Sequence, residues 1–115
     1  MRVFFLIFSM LSGCMQKQGI FYFKSWAGQE IPFRPEGEIS HEEAIKLKSY
    51  YSGYYVNGLL TKFEKYLDGQ LHWQDIYTYW QNTEILQKRE MYHFDPTAVP
   101  YRVQNFGKKG NLIKE

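Results

Sequence analysis

The chain has 115 residues, of which 23% are charged and 19% aromatic, and its formal net charge is +2. This length corresponds to one domain, and so weak a positive balance excludes a nucleic-acid binder that relies on electrostatics. The aromatic content excludes a disordered chain and favours β structure, while a mean hydropathy of −0.49 excludes a bundle of membrane-spanning helices.

The first predicted element is a short apolar segment at the start of the chain. Arg2 supplies a positive charge, and residues 3–10 form an apolar run of 8 residues, far short of the roughly 20 that a membrane-spanning helix needs. Small residues follow, up to Cys14, the single cysteine. This order of charge, apolar run and small residues is typical of a secretory signal peptide.

The end of that segment, Leu11-Ser12-Gly13-Cys14, resembles the lipobox of bacterial lipoproteins. The resemblance implies cleavage between Gly13 and Cys14, a diacylglycerol on the Cys14 thiol and an acylated new amino terminus. Two acyl chains or more hold a protein firmly on a membrane. The alternative is an ordinary hydrophobic first strand that contains a cysteine. The resemblance divides the chain into a signal peptide at 1–13, a lipidated cysteine and polar tether at 14–19, and one domain at 20–115.

Met15 follows the cysteine. In enteric-type bacteria, Asp at this position retains a lipoprotein in the inner membrane. By resemblance to that sorting rule, Met15 implies the periplasmic face of the outer membrane.

The mature part of the chain begins with a β-type aromatic run at Gly19–Trp26, followed by a Gly- and Pro-rich segment predicted to be irregular. Ser40 and Glu43 then form the pattern of a capping box, which predicts a short helix over His41–Lys48.

Regular turn signals follow from Tyr50 onward. The dipeptides Asn57-Gly58 and Asp68-Gly69 favour tight hairpins. The segments between breaks are predicted strands: Tyr50–Val56, Leu59–Leu67, Gln70–Trp80, Ile85–Phe94, Tyr101–Phe106 and a stub at Asn111–Lys114. The predicted fold is therefore mainly β, on the margin of α+β: an antiparallel meander with one short helix.

A two-residue turn at 68–69 also predicts a register for the hairpin that it closes. The predicted cross-strand pairs are Tyr66 with Leu71, Glu64 with Trp73, and Lys62 with Asp75.

A 26-residue step recurs in this part of the chain. It relates three aromatics, three leucines and three lysines: Tyr54, Trp80 and Phe106; Leu60, Leu86 and Leu112; Lys62, Lys88 and Lys114. The pattern is similar to the β-hairpin repeats of MORN-like bacterial proteins, although Glu84 replaces the glycine found at Gly58 and Gly110. Chance agreement in a Tyr- and Lys-rich meander is the alternative.

The segments SWAGQEIPFRP and YYSGYYVNGLLTKFEKYLDG also resemble an uncharacterised family of small bacterial proteins. This resemblance spans about residues 22–79. It implies an α+β or mainly-β domain and no activity.

No residue set forms a catalytic or metal-binding signature, and the sequence predicts no enzyme, metal or cofactor. The histidines His41, His72 and His93 have no ligand spacing. Glu64 and Glu90 could face each other as acid and base, but exposed positions on strands are the favoured interpretation.

The remaining candidates are five aromatics that either bind a partner or fill the core: Trp26, Trp73, Tyr77, Tyr79 and Trp80. The expected function is a membrane-anchored protein-interaction module with an envelope protein as partner, in its sharpest form an immunity protein against an antibacterial toxin. The alternative is a structural or glycan-binding envelope lipoprotein, with Trp73 and Tyr77 stacking on peptidoglycan sugars.

Overall fold

A computed structural model describes residues 16–93 and 99–115, which form one antiparallel sheet of eight strands. The predicted mainly-β meander with a short helix is confirmed. The elements, in chain order, are β1 Gly19–Ala27, β2 Arg34–Ile39, α1 His41–Ala44, β3 Ser49–Val56, β4 Leu59–Leu67, β5 Gln70–Tyr79, β6 Leu86–His93, β7 Arg102–Phe106 and β8 Leu112–Lys114.

Strands β3 to β8 are neighbours in chain order, and β1 and β2 extend the sheet beyond β3 in the order β2-β1-β3. Strand β2 corrects the sequence prediction, which made this segment irregular because of its prolines. Pro35 lies in β2 as the partner of Trp26. Since β2 is an edge strand bonded on one side only, a residue without an N–H is tolerated there.

Helix α1 lies on the connection that crosses β1 between β2 and β3. The predicted capping box is present: the Glu43 amide donates to Ser40 Oγ, and the Ser40 amide donates to Glu43 Oε1. Hydrogen bonding to the Glu43 carboxyl, first from the Ser40 amide and then from the Ser40 side chain, lowers the pKa of Glu43. The helix ends at Ala44, four residues earlier than predicted, because Ala44 alone is buried while Ile45 is 59% exposed. Beyond Ala44 the chain continues in tighter turns, in which the Lys46 amide donates to the Glu43 carbonyl at 3.2 Å and the Leu47 amide to the Ala44 carbonyl at 2.9 Å.

The β4–β5 hairpin departs from the predicted register by one residue. Tyr66 pairs with Leu71 as predicted, but His72 is an extra residue in β5, so that Lys65 pairs with Trp73 and Lys62 with Ile76. The predicted pairs Glu64–Trp73 and Lys62–Asp75 were therefore wrong. A shift of one residue moves every later side chain of a strand to the other face. It puts Asp75 on the face that carries Phe63, here called the core face.

The three leucines of the 26-residue step occupy equivalent positions in three hairpins. An extra residue follows each leucine, at Thr61, Gln87 and Ile113, and the lysine after it resumes regular pairing. The aromatics are not equivalent, since Tyr54 pairs with Lys62 whereas Phe106 pairs with Leu112. The 26-residue step therefore corresponds to a structural repeat for the leucines and lysines but not for the aromatics. The similarity to MORN-like proteins stays a prediction.

The core is an aromatic cluster on one face of the sheet, centred on Phe63, which is 0% exposed. Tyr51 stacks on the Phe63 ring at 5.4 Å, and Phe33, from the loop after β1, meets it edge-on at 5.7 Å. Gly53 leaves room for other members of the cluster, because a Cβ there would lie 3.0 Å from Leu60 Cδ1 and 3.2 Å from Tyr55 Cε1. The buried members of the cluster are Phe23, Tyr55, Leu60, Phe63, Tyr77 and Leu86.

The turns divide between the two ends of the sheet. The turns after β3, β5 and β7 lie at one end, here called the Asn57 end, where β1 also begins. The connections after β1, β4 and β6 lie at the opposite end, here called the Asp68 end.

Residues 16–18 lead into β1 along the Asn57 end. The Gly58 amide donates to the Lys17 carbonyl at 2.9 Å, and the Asn57 amide donates to Gln18 Oε1 at 2.8 Å. The last residues of the predicted tether are thus bonded to the tip of the β3–β4 hairpin.

Candidate functional site

The candidate site is a pocket of about 600 Å³ on the half of β5 and β6 nearer the Asp68 end. Its walls combine three aromatic rings with two histidines and one Asp–Arg pair. The lining residues are Phe33, His72, Trp73, Asp75, Arg89, His93 and Tyr101.

The polar centre of the pocket is the ion pair between Asp75 and Arg89. Arg89 Nη2 lies 2.7 Å from Asp75 Oδ2, and Arg89 Nε donates to the same oxygen at 2.8 Å. The Asp75 side chain is only 5% exposed, and the Arg89 side chain is 13% exposed. The Tyr77 hydroxyl adds a third donor to Oδ2 at 3.1 Å. A carboxylate this deeply buried requires such partners, since an unpaired buried charge is strongly destabilising.

The protonation of Asp75 reflects two opposing influences. Burial raises the pKa of Asp75, and the Arg89 guanidinium and the Tyr77 hydroxyl partly oppose that rise. Burial also raises the pKa of Tyr77, so this phenol stays protonated and keeps donating to Asp75. The pair is therefore matched in charge and held in a fixed geometry.

Arg89 has further contacts that orient it. Its Nη1 donates to Gln104 Oε1 at 3.2 Å, and its guanidinium lies 5.2 Å from the centre of the Phe33 ring. A guanidinium carries five N–H groups, of which the described contacts use three. One N–H on each terminal nitrogen is left for a ligand. Because Asp75 balances the positive charge, these donors suit a carbonyl, hydroxyl or amide group as well as an anion.

The aromatic walls are held by the core cluster. Trp73 lies 5.9 Å from Phe63 and 6.1 Å from Phe33, measured between ring centres. At the rim, Tyr101 stacks on His93 at 4.0 Å and is 56% exposed. Flat rings around a fixed hydrogen-bonding pair can bind a group that has one apolar face and one polar edge.

The five predicted binding aromatics do not form one surface. Trp73 lines the pocket, whereas Tyr77 is buried beneath it with 3% exposure. Trp26 is half-buried and packs on Phe33 at 4.3 Å. Tyr79 and Trp80 lie at the other end of β5, where the Tyr79 hydroxyl donates to the Leu60 carbonyl at 2.6 Å.

Sequence reasoning missed the other residues of the pocket. Asp75 was assigned to a cross-strand pair with Lys62, and Arg89 was not singled out at all. The missing signal was the extra residue in β5, which no turn dipeptide announces. Phe33 was placed in an irregular segment, although Phe and Ile in a Pro-rich loop are themselves a sign of a loop that folds over a core.

The two glutamates considered as an acid–base pair lie apart. Glu64 is buried, contrary to the exposed position expected for it, and accepts from Ser52 Oγ at 3.1 Å and from the Tyr66 hydroxyl at 3.2 Å. Glu90 lies on β6, which β5 separates from β4. Two strand spacings amount to about 10 Å, too far for the carboxylates to share a proton.

The three histidines divide between the two faces of the sheet. His72 and His93 line the pocket, and His41 stacks on Tyr22 at 4.7 Å. Within residues 16–93 and 99–115, no group of three or more His, Cys, Asp or Glu side chains could hold a metal ion.

The predicted processing site at Gly13 and Cys14 lies outside the described residues. Among the helices of the described part of the chain, none has the length and apolar character needed to cross a membrane. Comparison of the chain with protein-family models, with curated proteins and with solved structures found no match in any of the three.

Proposed function

We propose that the protein is a lipid-anchored binding module of the bacterial cell envelope, attached through Cys14. It holds its ligand in the pocket that contains the Asp75–Arg89 pair, here called the Arg89 pocket. The pocket is the observation that carries the proposal. It combines fixed aromatic rings with a charge-balanced hydrogen-bonding pair. The lipobox-like sequence that ends at Cys14 supports a location at the membrane, and Met15 after it supports the periplasmic face of the outer membrane.

The ligand in the first form of the proposal is a protein that reaches the periplasm. A pocket in which a largely buried arginine lies among aromatic rings is typical of the centre of a protein interface, where one partner side chain inserts and binding energy concentrates. In its sharpest form the module is an immunity protein, which keeps an incoming antibacterial toxin from acting on the cell that makes it.

The second form of the proposal is a glycan-binding lipoprotein, and the geometry of Trp73 favours it specifically. A sugar ring has an apolar face that stacks on an aromatic ring. Its hydroxyl groups can accept from the remaining Arg89 N–H groups and donate to Asp75. Peptidoglycan is the glycan nearest to an envelope lipoprotein.

Binding through this pocket is tested by removing its rim. Tyr101→Ala deletes an exposed ring, so the fold is expected to persist while affinity falls about tenfold or more. Trp73→Ala is expected to weaken binding further. Tyr54→Ala is the matched control, because Tyr54 is also exposed but pairs with Lys62 on the opposite face.

Two assays separate the forms of the proposal. Crosslinking in intact envelopes, followed by capture of the tagged protein, reports a protein ligand, and sedimentation with purified peptidoglycan reports a glycan. Each form requires a signal that Tyr101→Ala weakens and Tyr54→Ala preserves. A signal that neither variant changes would contradict the pocket as the binding site.

A further inference from the structure

The Asn57 end of the sheet lies very close to the proposed lipid anchor. Lys17 is fixed there by its bond to Gly58, and its ammonium lies 2.9 Å from Glu38 and 4.1 Å from the centre of the Phe21 ring. Only two residues separate Lys17 from Cys14. Three peptide units span at most about 11 Å. A lipid on Cys14 therefore keeps this end of the sheet within about 11 Å of the membrane surface.

The same end exposes apolar side chains where three strands begin. Ile20 is 59% exposed at the start of β1, Leu112 is 51% exposed at the start of β8, and Ile85 is 36% exposed just before β6. These side chains are spread along the whole end of the sheet, from β1 to β8, so together they can meet a flat surface such as a bilayer.

The turns at this end add an aromatic ring and two basic residues. Trp80 follows β5, and the ammonium of Lys108 lies 5.4 Å from the centre of its ring. Lys109 is exposed beside Lys108, whereas Glu84 is the single acidic residue in the turns at 80–85 and 107–111. Tryptophan rings favour the headgroup region of a bilayer, and lysines are attracted to anionic lipids.

We infer that the Asn57 end is a membrane-contacting surface, on which the domain stands end-on with Trp80, Lys108 and Lys109 among the phospholipid headgroups. This inference rests on the proposed lipidation of Cys14. It also gives the Arg89 pocket an orientation: the pocket lies toward the Asp68 end, away from the membrane, where a soluble protein or the cell wall can reach it.

Brominated phospholipids test this orientation, because they quench the fluorescence of tryptophan side chains that lie at the bilayer. The lipidated protein is reconstituted in vesicles of phosphatidylethanolamine and phosphatidylglycerol, with and without brominated phosphatidylcholine. Part of the wild-type emission is expected to be quenched. Trp80→Phe should remove most of that quenchable part, while the matched control Trp73→Phe should retain it.

The outcomes separate this inference from the proposed anchor, because the intact mass of the same preparation shows whether the lipid is present. Unquenched wild-type emission from a lipidated protein would overturn the end-on orientation and leave the anchor in place. Quenching that Trp73→Phe removes and Trp80→Phe preserves would overturn it as well, since the opposite end would then face the bilayer. A preparation without lipid would overturn the anchor itself.

Discussion

Replacing Arg89 with methionine is expected to lower the free energy of unfolding by about 3–5 kcal/mol at neutral pH, because the change leaves the Asp75 carboxylate buried without its cation. Asp75 is 5% exposed, and Arg89 supplies two of the three donors that reach its Oδ2. Urea denaturation of the two proteins measures the difference.

The loss of stability in Arg89→Met should depend on pH, and the burial of Asp75 sets the direction of that dependence. Burial already raises the pKa of Asp75 above 3.8, and removal of Arg89 takes away the largest opposing influence. The folded variant therefore binds a proton more tightly than the unfolded chain, so its free energy of unfolding falls as pH rises through the raised pKa. The gap from wild type is expected to be smallest in acid and to widen toward neutral pH.

Two further variants serve as controls for the Arg89 result. Lys88→Met removes a cation one residue earlier on β6, on the other face of the sheet, and is expected to change stability by no more than about 0.5 kcal/mol. Adding Asp75→Asn to Arg89→Met removes the stranded charge while keeping an acceptor for Tyr77, and should recover much of the loss. A loss that does not vary with pH and that Asp75→Asn does not reduce would contradict this account.

Phe63→Ala is the second change with a large expected effect. Phe63 is fully buried and contacts the rings of Tyr51, Phe33 and Trp73. Removing its ring leaves a cavity at the centre of the cluster, at an expected cost of about 3–5 kcal/mol in the free energy of unfolding. Thermal or urea denaturation measures it.

The matched comparison for Phe63 is an apolar truncation at the surface. Ile113→Ala removes side-chain volume at a position that is 61% exposed, and is expected to alter stability by about 0.5 kcal/mol or less. Similar costs for the two variants would mean that Phe63 does not lie at the centre of the core.

The sequence predicted the strands well because its turn chemistry is strong. The turn dipeptides Asn57-Gly58 and Asp68-Gly69 adopt positive φ at all four residues, from 50° to 82°, as tight hairpin turns require. The capping box was equally direct, since Ser40 and Glu43 bond to each other within three residues. Local signals of this kind do not depend on the rest of the fold.

The pocket could not be predicted from the sequence, because it depends on which face of β5 each side chain occupies and on a loop that is distant along the chain. The extra residue His72 turns Asp75 from the face expected for it to the core face. Phe33 then closes the pocket from a loop between β1 and β2, more than forty residues before Asp75. Neither the extra residue nor the loop contact produces a periodic pattern in the sequence, because both are fixed only when the sheet assembles.

The proposed function combines a lipid anchor with a distant pocket. A covalent lipid supplies location and the pocket supplies recognition, so each can be removed without the other. Tyr101→Ala should weaken ligand capture in a protein that remains on the membrane, and Cys14→Ser should free a protein whose pocket is intact.

The proposed lipid anchor is tested by the intact mass of the protein from the membrane fraction, compared between wild type and Cys14→Ser. The wild-type mass is expected to fit residues 14–115 with a diacylglyceryl group and an amino-terminal acyl group, and the variant is expected to lack both groups. An unmodified chain that still carries Met1 would contradict the anchor, the envelope location and the membrane-facing orientation together.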